Sequence, residues 1–254
     1  MNLLRPIAVL LCCALGGCAT VNHMAFDKKA NKVDVASKSV VLMTVDVYRP
    51  EKSRFEPIPF VVNVEKPNAQ SKVDRQNFVL DKNQDAIQTE DGHRLFLVRM
   101  ALEPGPYKLM AVTGMARAFP INGFFQVPLV TDFNVQPQSV VYVGRVTAVL
   151  RSREGGEFRA GPVIPLIDQA IAGMSNSTWD VTIADRSDND LAVFKQSYPA
   201  LNSASIVKAP LPPFDRAAAQ RWWDNNTPKD KDADKAKAAD AAEPVLSTSA
   251  DAKH

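Results

Sequence analysis

One histidine and one run of acids are the side chains of the central body whose types and spacing could do chemistry. His93 follows Glu90-Asp91-Gly92, at the start of an apolar run. A Ser-His-Asp or Cys-His mechanism in the body would have to use it as the base. Four-coordinate zinc needs more histidine or cysteine than that, so the residues predict no metal and no cofactor. His93 reads as a turn residue exposed to solvent. Asp185, Asp188 and Asp190 form the densest acidic cluster. Calcium loops of the EF-hand type alternate carboxylates and then require Gly and Glu at fixed positions. Asp188 and Asp190 match two of those positions, but the Gly and the Glu are absent. The other reading is a helix start, where acids complement the macrodipole and Ser187 with Asp190 forms a capping box. Gly155-Gly156 stands between charged residues and reads as a hairpin turn, not as a phosphate loop. Two acids from distant positions could still meet as a glycosidase pair.

The cysteines are Cys12, Cys13 and Cys18. Met1–Arg5 carries one positive charge, and Ile7–Leu15 is an unbroken apolar run of nine residues. That is short of the about 20 needed to span a bilayer but fits the apolar region of a secretory signal. Leu15-Gly16-Gly17-Cys18 then places two small residues before a cysteine. This stretch resembles the lipobox of bacterial lipoproteins. Gly16 departs from the Ala or Ser more usual at its position. The resemblance implies a diacylglyceryl thioether on Cys18, cleavage between Gly17 and Cys18, and acylation of the new amino group. Two or three acyl chains anchor firmly where one is marginal. Cys12 and Cys13 lack small residues directly before them. With Cys18 modified, the mature chain has no free thiol and no disulfide. Residue 19 is Ala19 rather than Asp, which in lipoproteins of this type goes with transfer to the outer membrane.

The elements that must position these groups read as strands. In 39–48, Val41, Met43, Val45 and Val47 share one face, and Thr44, Asp46 and Tyr48 the other. In 93–102, Phe96, Val98, Met100 and Leu102 fall on one side. Glu103-Pro-Gly-Pro106 is a strong turn signal, so 93–114 is predicted to be a β-hairpin. Further strands are expected at 57–65, 77–80, 123–127, 129–135, 140–150 and 179–184, with a turn at 136–139. Turns every 8–15 residues between alternating runs predict an antiparallel β-sandwich. Leu102-Glu-Pro-Gly-Pro-Tyr-Lys-Leu109 resembles the hairpin of prealbumin-like and carboxypeptidase-regulatory-like sandwich modules. It implies a Tyr107 ring over one end of the core with its hydroxyl wet. Such modules bind or space, and share no catalytic residues.

The organisation expected is therefore a signal peptide at 1–17, then lipidated Cys18 and a polar tether over 18–38. As coil, about 20 residues would span roughly 25 Å. His23 would be a solvated spacer residue in it. A sandwich follows over 39–214, with one short helix near its end. Leu191, Phe194 and Tyr198 mark the apolar face of that helix. The segment 215–254 would hold one or two helical turns around Trp222-Trp223 and then a disordered tail. For Phe124-Phe125, one ring is expected in the core and the other outside. Trp222-Trp223 could stack on a glycan or peptide, or staple its segment to the body.

The chain has 254 residues, 46% of them hydrophobic, with 30 Lys+Arg against 28 Asp+Glu. That suffices for a core, and the near-balanced charge excludes a nucleic-acid partner. Taken together, the residues predict a lipid-anchored protein of the outer membrane facing the periplasm. Its role is read as a non-catalytic binding or assembly module, with the membrane and another envelope protein as partners. A carboxylate-dependent hydrolase of envelope material and a structural spacer are the alternatives.

Overall fold

The computed structural model describes residues 19–90 and 92–226. The signal peptide, Gly17, Cys18 and the tail beyond 226 lie outside the described residues. Eleven described strands and three described α-helices follow one another along the chain. They are β1 (Thr20–Asn22), β2 (Ser39–Tyr48), β3 (Pro57–Glu65), β4 (Arg75–Val79), β5 (Ala86–Gln88) and β6 (Arg94–Leu102). After them come β7 (Gly105–Ala118), β8 (Ile121–Val135), β9 (Val140–Ser152), α1 (Leu166–Ile171) and β10 (Ser177–Ala184). The last are α2 (Ser187–Ser197), β11 (Ile206–Lys208) and α3 (Arg216–Asn226).

Two sheets pack face to face, as the alternating runs predict. The first has the order β1-β4-β3-β7-β8, and the second β10-β9-β2-β6-β5 with β11 beside β9. Most neighbours are antiparallel. β1 with β4, β2 with β9, and β11 with β9 are parallel. Between the sheets lie Val41, Met43, Val45 and Val47 of β2, with Phe96, Val98, Met100 and Leu102 of β6. The period of two puts each four on one face, and in both strands that face is the inner one. Phe125 and Trp179 join them, edge to face at 5.3 Å.

The expected hairpin over 93–114 does not form. β6 belongs to the second sheet and β7 to the first, so Glu103-Pro104 carries the chain across the sandwich. β7 pairs instead with β8, from Gly105 opposite Val135 to Ala118 opposite Ile121. A turn signal marks where the chain reverses, not which sheet receives it. Tyr107 also differs from expectation. Its ring lies 5.8 Å from that of Phe133, and its hydroxyl is buried, which pushes the phenol pKa upward.

Gly105 has φ +133, a conformation open to glycine and costly for side chains, with open space where a Cβ would stand. Backbone strain is then the whole cost of substitution, about 1–2 kcal/mol. Gly105→Val is expected to lower the unfolding midpoint by roughly 2–8 °C, on a scale of about 2–4 °C per kcal/mol. Gly156, also in open space and without a positive φ, is the control. Equal midpoints for Gly105→Val and the wild type in a calorimetry scan would remove the strain argument.

The outer face of the second sheet is also buried. Val40, Leu42, Leu95, Leu97, Val140 and Tyr142 meet Phe194 of α2 and, just after it, Tyr198 and Leu201. The helix expected from Leu191, Phe194 and Tyr198 is thus present and docks by that face. Residues 19–38, expected as a coil tether, instead lie on the body. β1 adds to β4, and Met24, Ala25, Phe26, Val33 and Val35 pack against the two clusters. The apolar residues of this stretch are few, but these five pack on the inter-sheet core or on the outer face of the second sheet.

α3 extends the expected helical turns to eleven residues. Ala219 and Trp223 pack on the core, and Arg216 joins Arg151 of β9 in holding Glu157. Three guanidinium contacts of 2.6–2.8 Å and the Glu154 amide converge on that carboxylate. The Arg151 hydrogen bonds, ahead of the Arg216 charge, hold its pKa down at about 2, from an ordinary 4.5. A depressed folded-state value adds stability above the unfolded value, and this is lost as pH falls through the folded one. The α3 anchorage should therefore weaken from about pH 4.5 to about pH 2. Tryptophan fluorescence should report an acid transition in that window, one that Glu157→Gln flattens. An unchanged acid limb in the variant would refute the linkage.

Candidate functional site

The three acids that could have made a calcium loop go three separate ways. Asp185 Oδ1 accepts the Ser187 amide at 2.8 Å, so Asp185 holds the start of α2. Asp188 meets Lys208 Nζ at 3.2 Å on the surface. Asp190 points inward and is 0% exposed. The Ser187–Asp190 capping box is absent. Asp190 instead accepts hydrogen bonds from Thr44 of β2, Tyr142 Oη at 2.6 Å, and the Arg145 guanidinium. A bulge at Gly144, with φ +111, makes this possible. The extra residue turns Arg145 onto the outer face that Tyr142 already occupies. Burial and the Asp190 carboxylate both push the Tyr142 phenol upward.

His93 is partly buried rather than solvated. Its ring stacks on Tyr48 at 3.8 Å, and Nδ1 lies 3.9 Å from Asp46 Oδ2. Arg99 is the second buried charge on this face. It reaches Asp85 at 2.7 Å, Tyr198 Oη at 2.6 Å and the Phe26 carbonyl at 3.0 Å. Nothing in the alternation of β6 distinguishes Arg99 from a surface residue, and sequence reasoning missed it. Beside it, a groove of about 590 Å³ is lined by His23, Asp27, Asp81, Asp85 and Arg99 among others. Its acids hold backbone and charge: Asp27 the Lys29 amide, Asp81 the Asn83 amide, and Asp85 both Arg99 and the Asp81 amide. Among the described residues, no three His, Cys, Asp or Glu side chains cluster as metal ligands would.

Gly155 and Gly156 form a turn, but the chain beyond it pairs differently from a hairpin. Residues 158–161 bridge the sheets, with the Gln126 amide on the Ala160 carbonyl and the Ala160 amide on the Ser177 carbonyl. Trp223 staples α3 to the core, while Trp222 lines an open groove of about 370 Å³ with Asn63, Asn77 and Gln126.

Exposed apolar side chains gather at the end of the β7–β8 hairpin. Phe119, in the turn itself, is 94% exposed, and β8 adds Phe124 on its outer face while burying Phe125. One ring in and one out is the expected arrangement. Against this end lies α1, a helix the sequence reading did not predict. Pro165 before it and Gly173 after it, at φ +80, are its punctuation. Asp168 Oδ2 accepts the Asn122 amide at 3.1 Å, and Ala172 abuts Gly123 so closely that a Cβ there would lie 2.3 Å from it. The other side of α1 presents Ile164 (81% exposed), Ile167 (69%), Leu166 (61%) and half-exposed Ile171. Gln169, by contrast, is buried, with neither side-chain polar atom hydrogen-bonded. A buried amide without partners costs about 1–3 kcal/mol. A helix that buries its amide and exposes its isoleucines is not arranged for the stability of this body alone.

No family model, no curated protein and no solved structure matches the chain.

Proposed function

We propose that the chain is a lipid-anchored protein of the outer membrane, facing the periplasm, whose sandwich is a non-catalytic assembly module. In this reading acyl chains on Cys18 hold it to the bilayer, and the apolar tip formed by α1 and the β7–β8 turn docks a protein surface. The tip carries the reading. Six large apolar side chains stand exposed on two adjoining elements. Four of them, Ile164, Leu166, Ile167 and Ile171, crowd on or just before the short helix α1, where clustered exposed apolar side chains mark an interaction site. The hydrolase alternative would draw its acid and base from the groove beside Arg99. There the three acids serve turns and the guanidinium, so the tip is the stronger feature.

The test is made in living cells. Cys18→Ala is expected to abolish incorporation of labelled palmitate. A photo-crosslinking side chain at position 119 is expected to give a discrete covalent adduct, which Ile167→Asp removes without moving the unfolding midpoint. Palmitate retained by Cys18→Ala would overturn the anchor. Absence of any adduct at 119 would overturn the docking role.

A further inference from the structure

We infer that the groove between α3 and the outer face of the first sheet binds a saccharide, with the Trp222 indole as its stacking platform. This site is separate from the tip, and the docking role proposed above stands or falls without it.

The strand register assembles a polar row on that face. Asn63 of β3 stands opposite Asn77 of β4 and opposite Ala111 of β7. Val61, two residues from Asn63 and so on the same face, stands opposite Thr113, and Thr113 opposite Gln126 of β8. The carboxamides of Asn63, Asn77 and Gln126 therefore share one face, and all line the groove of about 370 Å³. Ala111 lines it too, and a methyl group there leaves a low place in the row. The volume falls at the small end of ligand sites, which run from about 300 to 1,000 Å³. α3 adds Trp222. The core does not claim this ring, because Ala219 and Trp223 supply the contacts of α3 with it. Among the described residues no aromatic ring stacks on Trp222.

These groups match the chemistry of a sugar. The C–H face of a pyranose is apolar and packs on a flat indole. Its hydroxyls both donate and accept, and each carboxamide offers two donors and an acceptor oxygen. Asn63 Nδ2 donates to Asn77 Oδ1 at 2.8 Å, which orients the pair. Asn63 Oδ1 is left buried with no hydrogen-bond partner among the described residues. A buried acceptor without a donor is a standing cost, and a sugar hydroxyl that donates there relieves it.

Charge narrows the ligand further. Arg75 faces Glu65 at 3.8 Å and donates to the Ala69 carbonyl at 3.0 Å. With that guanidinium already matched, the groove favours a neutral ligand over an anionic one. Glu65 is also the one carboxylate among the described lining residues. Glycoside cleavage uses a pair of them, so the groove holds a glycan without cutting it.

The test is titration calorimetry on the full-length protein, in a detergent whose headgroup is not a sugar. The probes are cell-wall glycan oligosaccharides freed of their peptides, the oligosaccharide released from lipopolysaccharide, and the wall peptides alone. Saturable binding of at least one oligosaccharide is expected, and the arm that binds identifies the source. Trp222→Ala and Gln126→Ala should each weaken it about tenfold, near the loss of one favourable contact, without moving the unfolding midpoint. The two side chains stand on different elements, so a packing defect at one does not explain a loss at both. Ile167→Asp, at the tip, should bind as the wild type does. Binding of the peptides alone would give the groove to a peptide and overturn the saccharide. No saturable binding of either oligosaccharide, or binding that survives both substitutions, would overturn the site.

Discussion

Asp190→Ala is expected to lower the unfolding midpoint by about 6–12 °C, at roughly 2–4 °C per kcal/mol for a body of this size. The cause is an ionic contact broken from one side. Asp190 is fully buried, and Thr44, Tyr142 and Arg145 all donate to it. Removing it leaves a guanidinium and two hydroxyls turned toward an apolar gap. Breaking a buried pair in this way costs about 3–5 kcal/mol. The Arg145 side chain retains 23% exposure, so water can reach it and the low end, about 3 kcal/mol, applies. Asp190→Asn keeps an acceptor for Tyr142 and Thr44 and should lose less. Replacing Asp190 and Arg145 together by leucine should recover part of the loss, since no charge is then left buried. Thermal unfolding of the single and double variants measures this directly. A loss below about 1 kcal/mol in Asp190→Ala would mean that the carboxylate is not the anchor of this face.

Arg99→Lys is expected to cost about 2–4 kcal/mol, and to do so unevenly. The Arg99 side chain is the only described group that ties the Phe26 carbonyl, Asp85 and Tyr198 to one point. Its guanidinium also lies over the Tyr198 ring at 3.9 Å. Burial pushes the Tyr198 phenol up to about 12, so it stays a neutral partner. An ammonium keeps the charge but has neither the fork nor the flat face. In hydrogen exchange, amides of residues 24–35 should open first, well before those of β2 and β9. Exchange that accelerates equally across the body would contradict the idea that Arg99 clasps the amino-terminal segment.

The sequence shows the inner faces of β2 and β6 plainly, because a period of two leaves little choice once one face must be apolar. It shows α2 through Leu191, Phe194 and Tyr198, and the special backbone at Gly105 through its neighbouring prolines. Partnership across the fold is less legible. Glu103-Pro104-Gly105-Pro106 looks the same whether the next strand pairs with the last or crosses to the other sheet. Asp190 looks like a helix-start acid because its partner Arg145 is 45 residues away. Arg99 sits where alternation predicts a solvated residue, and only the docking of α2 and of residues 24–35 encloses it. The tip was hidden for a related reason. Phe119 and the 164–171 apolar residues are ordinary core composition, and only the fold shows them facing outward.

The pairing of β2 with β9 sets the order in which this protein can come into being. β2 lies at the centre of its sheet, and Val40 finds its parallel neighbour in Val140, 100 residues later. β1, at the start of the body, waits for Gln76, and β9 in turn waits for Ser177 to Ala184. Contacts of such sequence separation must close long loops before any burial rewards them, which puts folding in the range of milliseconds to seconds. A nascent chain of 130 residues would hold β2, β6 and β5, with β2 left as an open edge until β9 arrives. The export proposed above would need an extended polypeptide, and slowness of this kind would keep the chain threadable until its carboxyl-terminal half had crossed.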